Sequence, residues 1–237
     1  GGAVHVVNVR SRVHILNVVF NSNKAGENGG AMFVDTSTDV LIEGAKCNDN
    51  LAEKNGGCLS VTSDDVKGVP ASVEVSGMHS VGDNATRHGG ALCVGRSSAM
   101  SMTDSIVEDS ASASALYMSS AKVTLSSVEV SNTQCPKEKE GVRCDDSAAI
   151  MCVSSTLKIH DKSKITGTAA ANTRGRGMKS NGCSMVVEDT TFTNNFAHGN
   201  GAAILLVSES ELELLSSTFT SNTADGNGGG IMCDRCV

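Results

Sequence analysis

The stretch from Phe20 to Val34, FNSNKAGENGGAMFV, recurs along the chain, and this recurrence constrains the fold more than any other feature. Phe20 is followed by Asn23, Ala25, the pair Gly29-Gly30 and the apolar alternation Met32 and Val34. The same order returns at Phe192, Asn195, Ala197, Gly201, Ile204 and Leu206, and again at Phe219, Asn222, Ala224, Gly228-Gly229 and Ile231. A unit copied at a near-fixed period cannot bury its apolar face alone and must stack on its neighbours.

Counting from Phe20, equivalent anchors fall at Cys47, Val81, Val107, Val130, Ile165, Phe192 and Phe219, with steps of 27, 34, 26, 23, 35, 27 and 27 residues. Three residues after the anchors stand Asn23, Asn50, Asn84, Ser110, Thr133, Thr168, Asn195 and Asn222, and five after stand small residues, Ala25 and Ala52 among them. Seven and five residues before most anchors is an apolar pair such as Val13/Ile15 or Val40/Ile42. In the coils of Val81 and Ile165 the pair comes one residue earlier, as a one-residue bulge would require.

Short alternating apolar stretches imply half-buried strands rather than helices. If each copy makes one turn of a coil, equivalent residues lie about 4.8 Å apart and stack into ladders. Apolar columns then form a core, asparagine columns satisfy one another at bends, and glycine pairs mark sharp turns. The expectation is an all-β, parallel β-helix of about eight to nine coils with a period of about 27 residues, roughly 40 Å long. It forms one repeat region over 1–237, expected to be a segment of a longer array with both caps missing.

The F-x-x-N element, seen as FNSN, FTNN and FTSN, together with GGAM, GGCL, GGAL, GNGAAI and GGGI, resembles the repeats of the chlamydial polymorphic outer-membrane proteins. The paired motifs are clearest in the coils of Phe20, Phe192 and Phe219 and decay in the middle of the chain. The resemblance implies a right-handed β-helix exposed at a cell surface, often adhesive, and delivered by a C-terminal membrane barrel that this sequence does not contain. Membrane attachment is accordingly expected only through parts outside this segment.

Charge and composition narrow the partners. With 26 acidic and 19 basic residues the formal charge is −7, so no basic stripe is available for a nucleic-acid backbone. No apolar run approaches the roughly 20 residues of a membrane-spanning helix. Nine cysteines favour an oxidising compartment, outside the cell or at its surface. Cys135 and Cys144 flank a charged excursion and are the disulfide candidate, with Cys152 and Cys183 as competitors. Cys47 occupies an anchor position and reads as core, whereas Cys233 and Cys236 lack the second pair that a zinc site would need.

Catalysis needs side chains that converge, and the candidates here are scattered. Asp64 and Asp65 lie in one loop and Asp145 and Asp146 in another, about three coils or 14 Å apart. Cooperating glycosidase carboxylates stand about 5 to 9.5 Å apart. His88 and His198 precede glycines on turns four coils apart, and the acidic turns lack the rhythm of calcium-binding solenoids. Thr191/Thr193 and Thr218/Thr220 make a ladder of two, too short for an ice-binding face. Four of the five Phe are expected to point inward, and Tyr117 to stand alone. No catalytic, cofactor or metal residue is assigned. The structural ladders are Phe20, Phe192 and Phe219 with Asn23, Asn50, Asn84, Asn195 and Asn222. The expected role is a non-enzymatic repeat region of a secreted or cell-surface protein, presenting an extended surface for adhesion or structural contact with a cell-surface or matrix partner. The alternative is a carbohydrate-active β-helix enzyme, such as a polysaccharide lyase, hydrolase or epimerase.

Overall fold

A computed structural model of the chain describes residues 1–8, 12–36, 39–63, 70–133, 148–167 and 177–236. The described residues contain strands and turns and no helix, so none could cross a membrane as a helix. Every strand pairing is parallel. One coil shows the plan. Val13–Leu16 lies in a first sheet, Val19–Asn21 in a second, Lys24–Ala25 forms a two-residue strand, and Met32–Asp35 closes the turn in a third. We name the sheets B, C and A respectively; A has nine strands, and B and C have eight each. The result is a parallel β-solenoid with a period of about 27 residues.

The alternation of side chains puts one residue in two inside. Sheet A contributes Met32/Val34, Leu59/Val61, Leu92/Val94, Leu116/Met118 and Ile150/Cys152 to the core, and sheet B contributes Val40/Ile42, Val73/Val75, Met100/Met102 and Val123/Leu125. Sheet C contributes a single column, Phe20, Cys47, Ser80, Val107, Val130, Ile165, Phe192 and Phe219, each stacked on the next. Phe20 and Phe192 are 5% and 0% exposed. Phe219 is only partly buried, because Thr218–Thr220 is the outermost strand of its sheet, but its ring lies 5.0 Å from that of Phe192 at 3°.

Two features of the column differ from the sequence reading. Ser80, not Val81, stacks on Cys47. The steps on either side of it are therefore 33 and 27 residues, and Val73/Val75 precede it by the usual seven and five, so no insertion is needed in that coil. The corner chemistry gives the reason. Two residues after every anchor the chain turns with a left-handed residue: Ser22, Asp49, Gly82, Asp109, Asn132, Gly167, Asn194 and Ser221 all have φ between 50 and 66 degrees. Gly82 takes this conformation at little cost, which fixes Ser80 as the inward residue. In the coil of Ile165 an extra residue is indeed present, but it sits in the corner between strands Thr156–His160 and Lys164–Thr166, where Asp161 and Lys162 are both left-handed. The strand itself is not bulged.

The glycine pairs have two separate jobs. Gly29 and Gly56 each turn with φ 64. The following glycines let the coils approach: a Cβ on Gly30 would stand 2.2 Å from the carbonyl oxygen of Gly57, and one on Gly57 2.2 Å from that of Gly90.

Candidate functional site

The asparagines that recur three residues after the anchors are spent on the interior. Asn23 donates its backbone N–H and its Nδ2 to Asn50 Oδ1, both at 2.9 Å. Asn50 donates in the same way to Asp83 Oδ1, at 2.7 and 2.8 Å, and its Nδ2 also reaches the carbonyl of Phe20 at 3.0 Å. Farther along, Asn195 donates through N and Nδ2 to Asn222 Oδ1 at 3.1 and 2.9 Å, and Asn222 Nδ2 reaches the carbonyl of Phe192 at 3.0 Å. Asn50, and Asn195 through a further bond from Nδ2 to the carbonyl of Ile165 at 3.2 Å, thus tie their corners to the coils on both sides, while Asn23 and Asn222 each reach one neighbouring coil. The expected ladder member Asn84 is not part of this stack. With Ser80 as the anchor, the place three residues on belongs to Asp83, and Asn84 opens the short strand Asn84–Ala85, paired with Leu51–Ala52. The small-residue column likewise falls on the buried Ala85, five residues after Ser80.

Asp83 is a carboxylate at 0% exposure. Burial pushes its pKa up to about 6, against hydrogen bonds from Ser80 Oγ and from the backbone and side chain of Asn50 that favour the charged form; nearby Asp49 adds a smaller upward push. One metal-compatible cluster is found among the described residues, in which donor atoms of Asp83, Cys47 and Cys58 lie within 4.8 Å of one another. Cys47 and Cys58 are joined as a disulfide, however, and thiolates are the ligands a metal would take. Only the carboxylate is then left to offer a ligand.

The remaining cysteines resolve as pairs that the sequence did not distinguish. Cys152 bonds to Cys183, so within the described residues these two serve each other, and Cys233 bonds to Cys236. Cys93 is a buried free thiol that burial pushes up to about 12. The Cys135 and Cys144 candidate lies outside the described residues, as do Asp64, Asp65, Asp145 and Asp146. His88 and His198 are not brought together: their coils are four steps apart, about 19 Å along the axis. His198 Nδ1 pairs with Asp225 Oδ2 at 2.7 Å and its ring meets the edge of Phe196. His88 stacks on Tyr117 with centroids 4.2 Å apart, and its pKa is lowered by partial enclosure and by the charge of Arg87.

Tyr117 therefore does not stand alone, and the inward aromatic count is smaller than expected. Phe33 lies between inward Met32 and Val34, and Phe196 precedes inward Ala197, so both rings face outward. On the outer face of sheet A the register places Phe33, Ser60, Cys93 and Tyr117 on successive rungs. These four form the floor of a trough of about 1000 Å³. One wall is the column of turns carrying Glu27, Asn28, Lys54, Asn55, Arg87 and His88, which stack through bridges from Asn28 to Asn55 and from Asn55 to His88. The other wall is the corner after the strands, with Asp35, Thr62, Ser63, Arg96 and Ser97. No sequence motif marks this site, because its floor shares no residue type and is assembled only by register.

Comparison with known proteins bears on the end of the chain. Residues 189–206 and 216–234 match the Chlamydia polymorphic membrane protein repeat, so the two coils built on Phe192 and Phe219 carry repeats of that type. No curated protein and no solved structure matches the chain.

Proposed function

We propose that this chain is a non-catalytic β-solenoid region of a secreted or cell-surface protein, and that it presents an extended outer surface for adhesive or structural contact. The observation that carries this reading is the division of labour between the two faces of each strand. Inward positions are mostly apolar or consumed by ladders, whereas the outward positions of sheet C change along most of the sheet, from Val19/Asn21 and Lys46/Asn48 through His79/Val81, Ile106/Glu108, Glu129/Ser131 and Lys164/Thr166, and repeat as a pair only in the last two rungs, Thr191/Thr193 and Thr218/Thr220. A scaffold that keeps its interior closed and largely apolar while varying its exterior suits contact with large partners rather than turnover of a small one. The match to a membrane-protein repeat supports a surface setting. Histidines about 19 Å apart and a carboxylate locked inside a ladder do not assemble into an acid and base on one face.

The test is binding of the purified chain to intact cells and to extracellular matrix. Removal of residues 165–218, the two 27-residue units that begin at Ile165 and Phe192, brings Phe219 into register with Val130 and should weaken binding measurably. Single outward substitutions on sheet C should do little. Turnover of acidic or neutral polysaccharides by the intact chain would overturn the reading in favour of an enzyme.

A further inference from the structure

The trough on sheet A carries an inference of its own, because its charges do not cancel. Glu27 is held by Lys54 in an ion pair of 2.5 Å that lowers the Glu27 pKa, and Asp35 accepts a hydrogen bond from Thr36 Oγ1 at 2.9 Å. The guanidinium groups of Arg87 and Arg96 are exposed on opposite walls, and neither has an ion-pair or hydrogen-bond partner among the described residues. With Glu27 paired to Lys54, two arginines stand against the single carboxylate of Asp35, and in a chain of net charge −7 a depression whose lining is net positive marks a place for an anion. The Cys93 thiol on the floor is held uncharged by burial and does not oppose one.

The floor adds shape. Phe33 and Tyr117 are half-buried rings separated by two small residues, Ser60 and Cys93, so the two aromatic walls stand three rungs or about 14 Å apart along the axis. His5 stacks on Phe33 at 4.9 Å and comes from the preceding rung, which leaves the other face of Phe33 turned toward the gap. At the other end His88, from the coil of Cys93, covers the face of Tyr117 that looks into the trough, so the ring facing Phe33 there is His88's, two rungs or about 10 Å away. Beyond Tyr117 the same column continues with Met151 and Lys179, both buried, and the trough stops. A rung spacing close to the length of one pyranose residue, ring faces at either end, and walls rich in hydroxyl and amide groups fit a short chain of sugars.

We propose that this trough binds an anionic oligosaccharide, with its carboxylate or sulfate groups held by Arg87 and Arg96 and its sugar rings lying between Phe33 and the His88–Tyr117 pair. A peptide fits less well. The strands under the trough are paired on both sides and offer no free edge for strand addition, and the apolar floor is interrupted by Ser60. The inference rests on the surface-contact reading for its biological setting and adds to it the chemical class of the ligand.

Calorimetric titration of the intact chain with a galacturonate hexamer, a heparin-derived hexasaccharide and cellohexaose tests it, the first two separating carboxylate from sulfate. At least one anionic sugar should bind, more weakly as salt is raised, and cellohexaose should not. Arg87→Gln and Arg96→Gln should each weaken binding about tenfold, as the loss of a charge-assisted hydrogen bond does. Lys158→Gln, on the outer face of sheet B, should leave binding unchanged. Both arginines are exposed, so these variants keep the fold, which circular dichroism verifies, and the test does not depend on Tyr117→Ala. The proposal is overturned if wild-type protein binds neither anionic sugar, binds cellohexaose equally well, prefers an acidic peptide or an oligonucleotide of similar charge, or retains full affinity in the double arginine variant. Cell binding that persists without sugar binding would sink this inference and leave the surface-contact reading standing; sugar binding without cell binding would do the reverse.

Discussion

The solenoid contains two amide stacks, and they differ by one atom type. Near the start, Asn23 and Asn50 lead to Asp83; near the end, Asn195 leads to Asn222. In the second stack Asn222 has an Nδ2 to give to the carbonyl of Phe192, as Asn50 gives to Phe20. Asp83 has no such donor when ionised, and its second oxygen instead accepts from Ser80 Oγ at 2.6 Å. Between the stacks, Ser110 and Thr133 occupy the same column, and their buried hydroxyls make no hydrogen bond among the described residues. Over its described members the column thus holds satisfied amides, a buried acid, hydroxyls without a partner among the described residues, and amides again. Stability along the rod should follow that sequence.

The largest expected effect isolates the packing beneath the second stack. Phe192→Ala removes a fully buried ring stacked on Phe219 and should cost roughly 3 to 5 kcal/mol in denaturant unfolding. A change within error would mean that the stack is not held by its apolar column. The difference between the stacks themselves is tested by exchanging their chemistry. Because the folded-state pKa of Asp83 is raised, the protonated form favours folding, and its contribution is complete below the unfolded pKa and lost as pH rises through about 6. Asp83→Asn should therefore gain up to about 3 kcal/mol over wild type above pH 7, and the gain should fade between pH 6 and about 4. A gain independent of pH would show that the carboxyl is not the cause.

The mirror substitution, Asn195→Asp, should do the opposite. It places a carboxylate in a fully buried site and should destabilise at pH 8 by about 1 to 3 kcal/mol, with partial recovery near pH 5. Equal loss at both pH values would point to geometry rather than charge. The smallest effect belongs to the middle of the column. Ser110→Ala removes a buried hydroxyl that has no partner among the described residues, so it should be neutral or stabilise by up to about 1 kcal/mol. A clear loss would reveal a bound water that the hydroxyl serves.

Most of the interior was legible from the chain, since ladders repeat residue types and repetition is what a sequence displays. The misplaced coil shows the limit. A rule of apolar anchors selects Val81 in that coil, and counting three residues on from it leads to Asn84, where the structure has Ser80 and Asp83. The corner offered a better signal, a residue tolerant of the left-handed region two places after the anchor, which Gly82 satisfies. The trough was not legible for the converse reason. Phe33, Ser60, Cys93 and Tyr117 are alike only in facing the same way on stacked strands. Similarly, nothing in the spacing of Cys152 and Cys183 announces their bond, which depends on two coils being adjacent.

The corners have a further consequence. Between anchors the chain spends as few as 23 residues, from Val107 to Val130, or as many as 35, from Val130 to Ile165, yet the strands on either side remain paired rung to rung. The axial spine therefore behaves like a shelf standard with slots: a segment of nearly any length can be hung at a corner without shifting those above or below. Editing such a molecule is modular. Outer segments can be exchanged one at a time, whereas a single residue gained or lost within a strand would turn a whole rung inside out.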